Sequence, residues 1–354
     1  MPSKTPQQAV LTNEFTTNFD TNCKDWLNIN GLSEGTLEKK RDENEEEERL
    51  KTDSKLPDHD IHGFDNEIKS LQHFLLDQKV KREFKSLVIV GEYGVGKTAL
   101  CQKIFNDEAV KSVYAPRVWV SMENKESKDR LDGQICVLKK ILTGLGVKDS
   151  ILETISADAK QEFKDNAEVA SNQEAGEIDR ETEKEKELSA LLYALHLNLR
   201  WKKYMIVFDD VREIDNWDEK LDVKLNEDEK WGKFLSDGFP KGSGGRVIYT
   251  TRDENLAKKL VAEKHEIHCL WPLSDHQSVW KIYDAVIQKR EKESPRNDKK
   301  CIDELMNKSR GLPLAARLLA ELDPVFVDDE GLTGSSIHGQ PDASNSQTAN
   351  QTSS

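Results

Sequence analysis

The feature that most constrains this chain is a glycine-rich segment between an apolar run and a helix-forming run. Residues 87–90 are apolar and β-branched, which is typical of a buried strand, and the run stops at a glycine. The next eight residues, 91–98, read GEYGVGKT and match the pattern G-x-x-x-x-G-K-[ST]. Residues 99–105 then continue as an apolar helix. The sequence therefore predicts the strand–loop–helix unit of a phosphate-binding loop.

The residue types in this loop suit the phosphates of a nucleotide. Glycines let backbone amides point at an anion without an intervening side chain, and the following helix N-terminus adds its positive dipole end. The lysine would reach the β- and γ-phosphates, and the threonine hydroxyl would ligate Mg²⁺. The alternative is an ordinary glycine-rich turn before a helix. The predicted cofactor contacts in this unit are Gly91, Gly94, Val95, Gly96, Lys97, Thr98 and Ala99.

A second apolar run, 204–208, ends in two acids, Asp209 and Asp210. A phosphate-loop site needs a carboxylate opposite the loop to hold Mg²⁺ through its water shell, and Asp209 suits that role. Asp210 could orient or deprotonate an attacking water. An apolar run followed by two acids is otherwise simply a strand end and a turn, so the functional interpretation depends on the phosphate loop upstream.

A third strand pattern, 246–250, ends in Thr250-Thr251-Arg252. An arginine at the carboxyl end of a parallel strand lies where ligands bind in such sheets. Arg252 could therefore contact a γ-phosphate through a charge-assisted hydrogen bond. From the residues alone, a surface arginine in a solvated ion pair is an equal alternative.

Strand and helix patterns alternate through most of the chain, which predicts an α/β fold with a parallel sheet. After residue 270 the pattern changes to helical segments near 276–290, 299–309 and 313–322. We therefore expect a phosphate-loop sheet flanked by helices and followed by a small helical subdomain.

Charge and cysteine content limit the class of protein. The net charge is -14, from 52 basic and 66 acidic residues, and segments 37–55, 158–187 and 323–354 carry nearly all of the excess. An acidic chain argues against a nucleic-acid-binding protein. Five cysteines without a Cys-x-x-Cys pair argue against a disulfide framework and favour reduced thiols in the cytoplasm. The sequence shows no secretory signal and no apolar run long enough to span a membrane.

These motifs occur in an order that resembles a known family. The phosphate loop, FDDV at 208–211, TTR at 250–252 and GLPLA at 311–315 together resemble the NB-ARC nucleotide-binding module of plant disease-resistance proteins, a branch of the STAND signalling ATPases. WVS at 119–121 looks like the motif that follows the phosphate loop in the non-TIR branch. Residues 270–283 look like the first helix of the ARC region. The resemblance covers about residues 57–323.

The resemblance implies a function and a set of residue roles. The family binds ADP at rest and ATP when active, with Mg²⁺. By motif position, Asp209 would hold the metal with Thr98, Asp210 would be the catalytic acid and Arg252 would contact the γ-phosphate. Pro313 would lie near the adenine and ribose. The segment at 61–63 resembles the one whose backbone holds adenine, which assigns a cofactor contact to Ile61.

The chain also departs from the family pattern. Phe64 stands where an arginine is usual, Arg212 stands where a tryptophan is common, and the acidic stretch at about 150–187 looks inserted. The chain stops before a second ARC subdomain and leucine-rich repeats, so we expect a truncated relative. The expected division is a charged, partly disordered segment 1–56, a nucleotide-binding domain 57–265, an ARC-like subdomain 266–323 and a disordered polar tail 324–354.

Two functions follow from the resemblance. The first is an ADP- or ATP-binding protein of plant defence signalling with slow hydrolysis at most, which works with other resistance-signalling proteins. The second is a scaffold whose hydrolysis is irrelevant and which binds a fuller resistance protein. The oligomeric state stays open.

Overall fold

A computed structural model gives the fold of residues 51–57, 60–77, 82–122, 130–169, 178–213, 232–261, 263–290 and 297–322. Its centre is an all-parallel sheet of five strands in the order β2-β3-β4-β1-β5. The strands are β1 Lys85–Val90, β2 Arg117–Ser121, β3 Met205–Asp209, β4 Arg246–Thr251 and β5 Ile267–Cys269. The apolar runs 87–90, 204–208 and 246–250 form β1, β3 and β4, and the short run 118–120, which also predicts a strand, forms β2. The predicted fold class is thereby confirmed.

The inner strands are apolar because both faces of the sheet are covered by helices. All five residues of β3 and all six of β4 are buried. Two apolar clusters lie on the two sides, and alternate residues of β3 belong to each: Ile206 and Phe208 to one, Met205 and Val207 to the other. Because all five strands are parallel, their carboxyl ends lie at one edge of the sheet.

Seven helices accompany the strands in the described ranges up to β5. They are α1 Asp65–Leu76, α2 Lys97–Phe105, α3 Glu108–Val113, α4 Arg130–Gly144, α5 Asp149–Val169, α6 Ile178–Leu199 and α7 Glu254–Leu260. Asp107 and Asp253 cap α3 and α7, because each carboxylate accepts two backbone N–H bonds of the first turn. Short 3-10 turns precede β4 and β5, at Leu235–Gly238 and Lys264–Glu266.

The segment after β5 is helical, as the sequence predicted. It consists of α8 His276–Lys289, α9 Lys299–Ser309 and α10 Pro313–Glu321. Asp275 caps α8 and Asp298 caps α9, and α10 begins with proline, whose missing N–H costs nothing in a first helical turn. β5 follows the expected domain boundary at residue 265 in the sequence. It nevertheless belongs to the sheet, because its backbone pairs with β1. The division between the two domains, expected after residue 265, stays a prediction.

The acidic stretch near 150–187 lies largely in α5 and α6, two long helices that pack against each other. Glu187 is buried there and accepts hydrogen bonds from Lys139 Nζ and Ser156 Oγ, both at 2.7 Å. The described residues of this stretch are helical. The expectations for residues 1–50 and 323–354 lie outside the described residues. No described helix is both long enough and apolar enough to cross a membrane.

Candidate nucleotide-binding site

The glycine-rich loop leaves the carboxyl end of β1 and turns directly into α2. Gly91 N–H donates to Thr251 O of β4 at 3.3 Å, which fixes the start of the loop to the neighbouring strand. Gly94 and Gly96 have φ of +79° and +106°, a region that residues with a Cβ rarely adopt. Because Gly96 is the residue before α2, the first backbone amides of that helix face the loop. This geometry forms an anion-binding concavity.

Lys97 lies inside the loop and is only 8% exposed. Its Nζ donates to Gly91 O at 2.8 Å and to Glu92 O at 2.9 Å. Burial, together with the nearby Arg252 guanidinium, lowers the pKa of Lys97 to about 8, although Asp210 and Asp209 act in the opposite direction. A bound phosphate would compete with the two carbonyls for the ammonium and would raise the pKa of Lys97 again.

Thr98 and Asp209 are in direct contact across the loop. Thr98 Oγ1 lies 3.0 Å and 3.1 Å from the two oxygens of Asp209, a residue that is 1% exposed. Thr250 Oγ1 donates to Asp209 Oδ1 at 2.6 Å and Thr52 Oγ1 donates to Asp209 Oδ2 at 2.9 Å. Burial raises the pKa of Asp209, and the three hydroxyl donors reduce that rise. We call Thr98, Asp209, Thr250 and Thr52 the metal side of the site.

The donor set of the metal side fits Mg²⁺. In the part of the chain that the structure describes, the hydrogen-bond partners of the buried Asp209 are hydroxyl groups, which do not neutralise its charge. Mg²⁺ takes oxygen ligands, keeps several waters and is held by one or two protein groups plus phosphate oxygens. Accordingly, no group of three His, Cys, Asp or Glu side chains suited to an all-protein metal site occurs among the described residues. Thr98 and Asp209 are the residues that would hold the ion.

Asp210 follows the strand in a left-handed conformation, with φ of +63°. Its carboxylate is paired with two arginines: Arg212 Nη2 lies 3.0 Å from Oδ2, and Arg252 Nε lies 3.7 Å from Oδ1. The Arg252 guanidinium also lies over the Tyr93 ring, 4.4 Å from its centroid. Arg252 therefore joins the loop to the strand ends by an ion pair and a cation–π contact.

The other side of the loop packs against the helical segment. Leu314 N–H donates to Gly94 O at 3.2 Å, and a Cβ at Gly94 would lie 2.9 Å from Leu314 Cβ. A Cβ at Gly96 would lie 3.0 Å from the Phe64 ring and 4.0 Å from Pro313 Cγ. We call Phe64, Pro313 and Leu314 the helical side. Here glycine is needed for close approach as well as for backbone conformation.

The structure brings together most of the residues that the sequence singled out. Lys97, Thr98, Asp209, Asp210 and Arg252 lie around the loop, and Pro313 lies on its other side. Val95 and Ala99 lie in the loop and in the first turn of α2. Ile61 instead lines a cavity of about 330 Å³ that 91–98 do not line. The roles of all these residues remain predictions.

Three site residues were missed by the sequence analysis. Thr250 was read only as part of a strand end, and Arg212 only as a departure from a motif. Thr52 lies in a segment to which no role was given, and nothing in its local sequence singles it out. Its place on Asp209 depends on chain folding over 157 residues of separation.

Comparison with known proteins agrees with these motifs. The family described as NB-ARC domain matches residues 64–293. A probable disease resistance protein of Arabidopsis thaliana is 87% identical over 354 residues, which cover 100% of both chains. A second probable disease resistance protein of Arabidopsis thaliana is 71% identical over 317 residues, covering 89% of this chain and 87% of the relative. Among solved structures, Cdc6p from Pyrobaculum aerophilum aligns over 77% of this chain and 64% of its own, with 12% identity and a TM-score of 0.40.

Proposed function

Because this chain belongs to the NB-ARC domain family, we propose that it binds ADP or ATP with Mg²⁺ and acts in plant disease-resistance signalling. The observation that carries the proposal is the contact between Thr98 and Asp209, at 3.0 Å. The sequence motifs required a hydroxyl after the loop lysine and a carboxylate on a different strand, and the fold puts the two in reach of one cation.

Each residue of the loop has a physical task in phosphate binding. The loop amides and the α2 N-terminus would donate to the phosphate oxygens. Lys97 would leave the carbonyls of Gly91 and Glu92 and contact the β-phosphate, and the γ-phosphate when ATP is bound. Mg²⁺, when bound, neutralises phosphate charge. Asp209 and Thr98 would hold that ion, and Pro313 would lie near the nucleoside.

The arrangement around Asp210 supports slow hydrolysis at most. A general base must reach the attacking water with a free carboxylate oxygen. Here Arg212 and Arg252 each lie against one oxygen of Asp210. For Arg252 to contact a γ-phosphate and for Asp210 to orient water, these ion pairs must loosen. We therefore propose a protein whose main property is its nucleotide-bound state and whose turnover is secondary.

The same ion pairs favour a second candidate, a scaffold that binds nucleotide without hydrolysis and acts by contacting a larger resistance protein. In both cases we propose a cytoplasmic location, since the four described cysteines are free thiols and thiols stay reduced in that compartment. Asp210→Asn separates the two candidates. If defence signalling survives that substitution while the partner still binds, the scaffold is favoured.

Lys97→Ala tests nucleotide binding itself. Removing the ammonium should weaken ADP binding about a hundredfold or more in calorimetric titration, since charge-assisted contacts to phosphate are lost. Lys103→Ala is the matched control, because Lys103 is an exposed lysine on the same helix, α2, and leaves the loop intact. Equal ADP affinity in Lys97→Ala and wild type, with both proteins folded by circular dichroism, would reject the site. Mass spectrometry of the co-purifying nucleotide distinguishes ADP from ATP.

A further inference from the structure

A short segment upstream of the family match, residues 51–57, lies across the metal side of the site. Thr52 N–H donates to Ser121 Oγ of β2 at 3.0 Å. The next two carbonyls are held by α2 and by the residue that follows it: Gln102 Nε2 donates to Asp53 O at 2.8 Å and Asn106 Nδ2 donates to Ser54 O at 2.6 Å. Three consecutive residues are therefore tied to the strand and the helix that flank Asp209. We call residues 52–54 the upstream strap.

The strap places the Thr52 hydroxyl against the buried carboxylate of Asp209. The direction of this hydrogen bond follows from the other contact of the hydroxyl. Trp119 Nε1 lies 3.2 Å from Thr52 Oγ1, and an indole nitrogen can only donate. Thr52 has one hydroxyl hydrogen, which is therefore available for Asp209 Oδ2 at 2.9 Å. A chain of two hydrogen bonds therefore runs from the indole N–H through the threonine hydroxyl to the carboxylate.

Thr250 forms a similar chain of two hydrogen bonds to the other carboxylate oxygen of Asp209. Its Oγ1 accepts the backbone N–H of Asp210 at 2.8 Å and donates to Asp209 Oδ1 at 2.6 Å. The two oxygens of Asp209 are thus each held by a threonine whose hydroxyl is oriented by an N–H donor. Thr250 belongs to the TTR motif at 250–252, whereas Thr52 lies outside the matched residues 64–293.

We propose that Thr52 is a positioning residue for the Mg²⁺ site, which makes the chain segment before the family domain a structural part of that site. The proposal rests on the proposed function. If Thr98 were released from Asp209 to hold a cation, Thr52 and Thr250 would keep the plane of the carboxylate through their two hydrogen bonds. Asp209 would then be oriented for the ion without a rearrangement of its own.

The same contact links the docking of the strap to the occupancy of the site. If the docked strap improves cation binding by some factor, cation binding must improve docking by that factor. The segment preceding the domain therefore senses whether metal–nucleotide is bound, since it shares a hydrogen-bonded carboxylate with it. The carbonyl contacts of Asp53 and Ser54 pass the same change to α2, the helix that begins at Lys97.

Thr52→Val tests the proposal because valine keeps the shape of threonine and removes the hydroxyl. We would measure ADP affinity by calorimetry in Mg²⁺ and in EDTA and compare the ratio of the two between proteins. The ratio should fall about tenfold in Thr52→Val, as expected for one lost hydrogen bond to a charged group, while binding in EDTA stays unchanged. Thr52→Ser should retain the wild-type ratio, because serine restores the donor.

Two further variants separate positioning from general loosening of the strap. Ser54→Ala is the matched control, because Ser54 contacts α2 through its carbonyl, and it should leave the ratio unchanged. Trp119→Phe removes the indole donor and keeps an aromatic ring against Phe105, so the ratio should fall in the same direction by a smaller factor. An unchanged ratio in Thr52→Val overturns the proposal. A higher ratio also overturns it, since Thr52 would then compete with the cation.

Amide hydrogen exchange of residues 52–56 gives a readout that does not need nucleotide. Millimolar MgCl₂ alone should slow exchange of the strap in wild type and have less effect in Thr52→Val. Exchange that does not respond to Mg²⁺ in wild type would contradict the linkage. If wild type binds no nucleotide but its strap still responds to Mg²⁺, the proposed function fails while the positioning role stands.

Discussion

The metal side and the helical side of the phosphate loop are built in opposite ways. On the metal side, Asp209 is buried among hydroxyl groups at 2.6–3.1 Å, and every contact is directional. On the helical side, Gly94 and Gly96 are covered by Leu314 and Phe64 through close van der Waals approach. Directional contacts can exchange one partner for another when a ligand arrives, whereas close packing tolerates little added volume. From this difference we expect ligands to exchange on the metal side and the helical side to set the position of the loop.

Among the substitutions that test this difference between the two sides, Asp209→Asn should have the largest effect on ADP affinity. The amide is nearly the same size as the carboxylate but cannot supply the charge that a Mg²⁺ water shell requires. We expect the Mg²⁺-dependent part of ADP affinity to fall about a hundredfold, or about 3 kcal/mol, with little change in EDTA. Calorimetry in the two conditions measures this. If affinity in EDTA falls equally, the metal side also holds the loop, and the division between the two sides is wrong.

The helical side is tested by Gly94→Ala. The added Cβ would be strained at φ +79° and would lie 2.9 Å from Leu314 Cβ. We expect a loss of about 2 kcal/mol in the free energy of unfolding, roughly half from the backbone and half from overpacking. Urea titration measures the loss.

Gly146→Ala is the control that separates these two causes. Gly146 has φ of +90°, and a Cβ there would have no neighbour within 4 Å. Its substitution should therefore cost only the backbone share, roughly 1 kcal/mol. If Gly94→Ala costs no more than Gly146→Ala, the contact with Leu314 contributes nothing, and the helical side does not position the loop.

The difference between the two sides also explains what the sequence could predict. Lys97 and Thr98 were predicted by the phosphate-loop motif. Asp209 and Arg252 were predicted because strand ends of a parallel sheet meet at one edge, so the ends of β3 and β4 lie near the loop that follows β1. Pro313 could be placed only through the family resemblance, since no local pattern tells which strand edge a following helix contacts. Thr52 could not be found at all, because a single hydroxyl reaching a carboxylate 157 residues away leaves no periodic or motif signal.

Local sequence patterns also decide which strands and helices could be predicted. Strands β1 to β4 were predicted because buried parallel strands are continuous apolar runs, and α8 to α10 were predicted because their apolar residues recur at helical spacing. β5 has only three residues, Ile267–Cys269, and its middle residue is a histidine, so the run carries too little apolar pattern to be recognised. Its pairing with β1 is decided by tertiary packing.

The smallest expected effect on ADP affinity concerns Lys97, which lies in the loop itself and contacts the loop carbonyls. Burial lowers its pKa to about 8 in the nucleotide-free protein, and a bound phosphate should raise it again. Below pH 8 the ammonium is already charged, so ADP affinity should be nearly constant. Above pH 8 the free protein loses the proton that the complex keeps, so affinity should fall by about tenfold between pH 7 and pH 9, or about 1.4 kcal/mol.

Calorimetry in two buffers of different ionisation enthalpy would detect this coupling as proton uptake on binding at pH 9 and none at pH 7. Lys103→Ala should show the same pH profile as wild type, since Lys103 is exposed and lies outside the loop. Affinity that stays constant to pH 9 would mean that Lys97 is charged in the free loop throughout. The carbonyls of Gly91 and Glu92 would then hold the ammonium firmly enough to offset its burial. In that case the conformation of the loop, as well as its packing against the helical side, would already be fixed before the nucleotide binds.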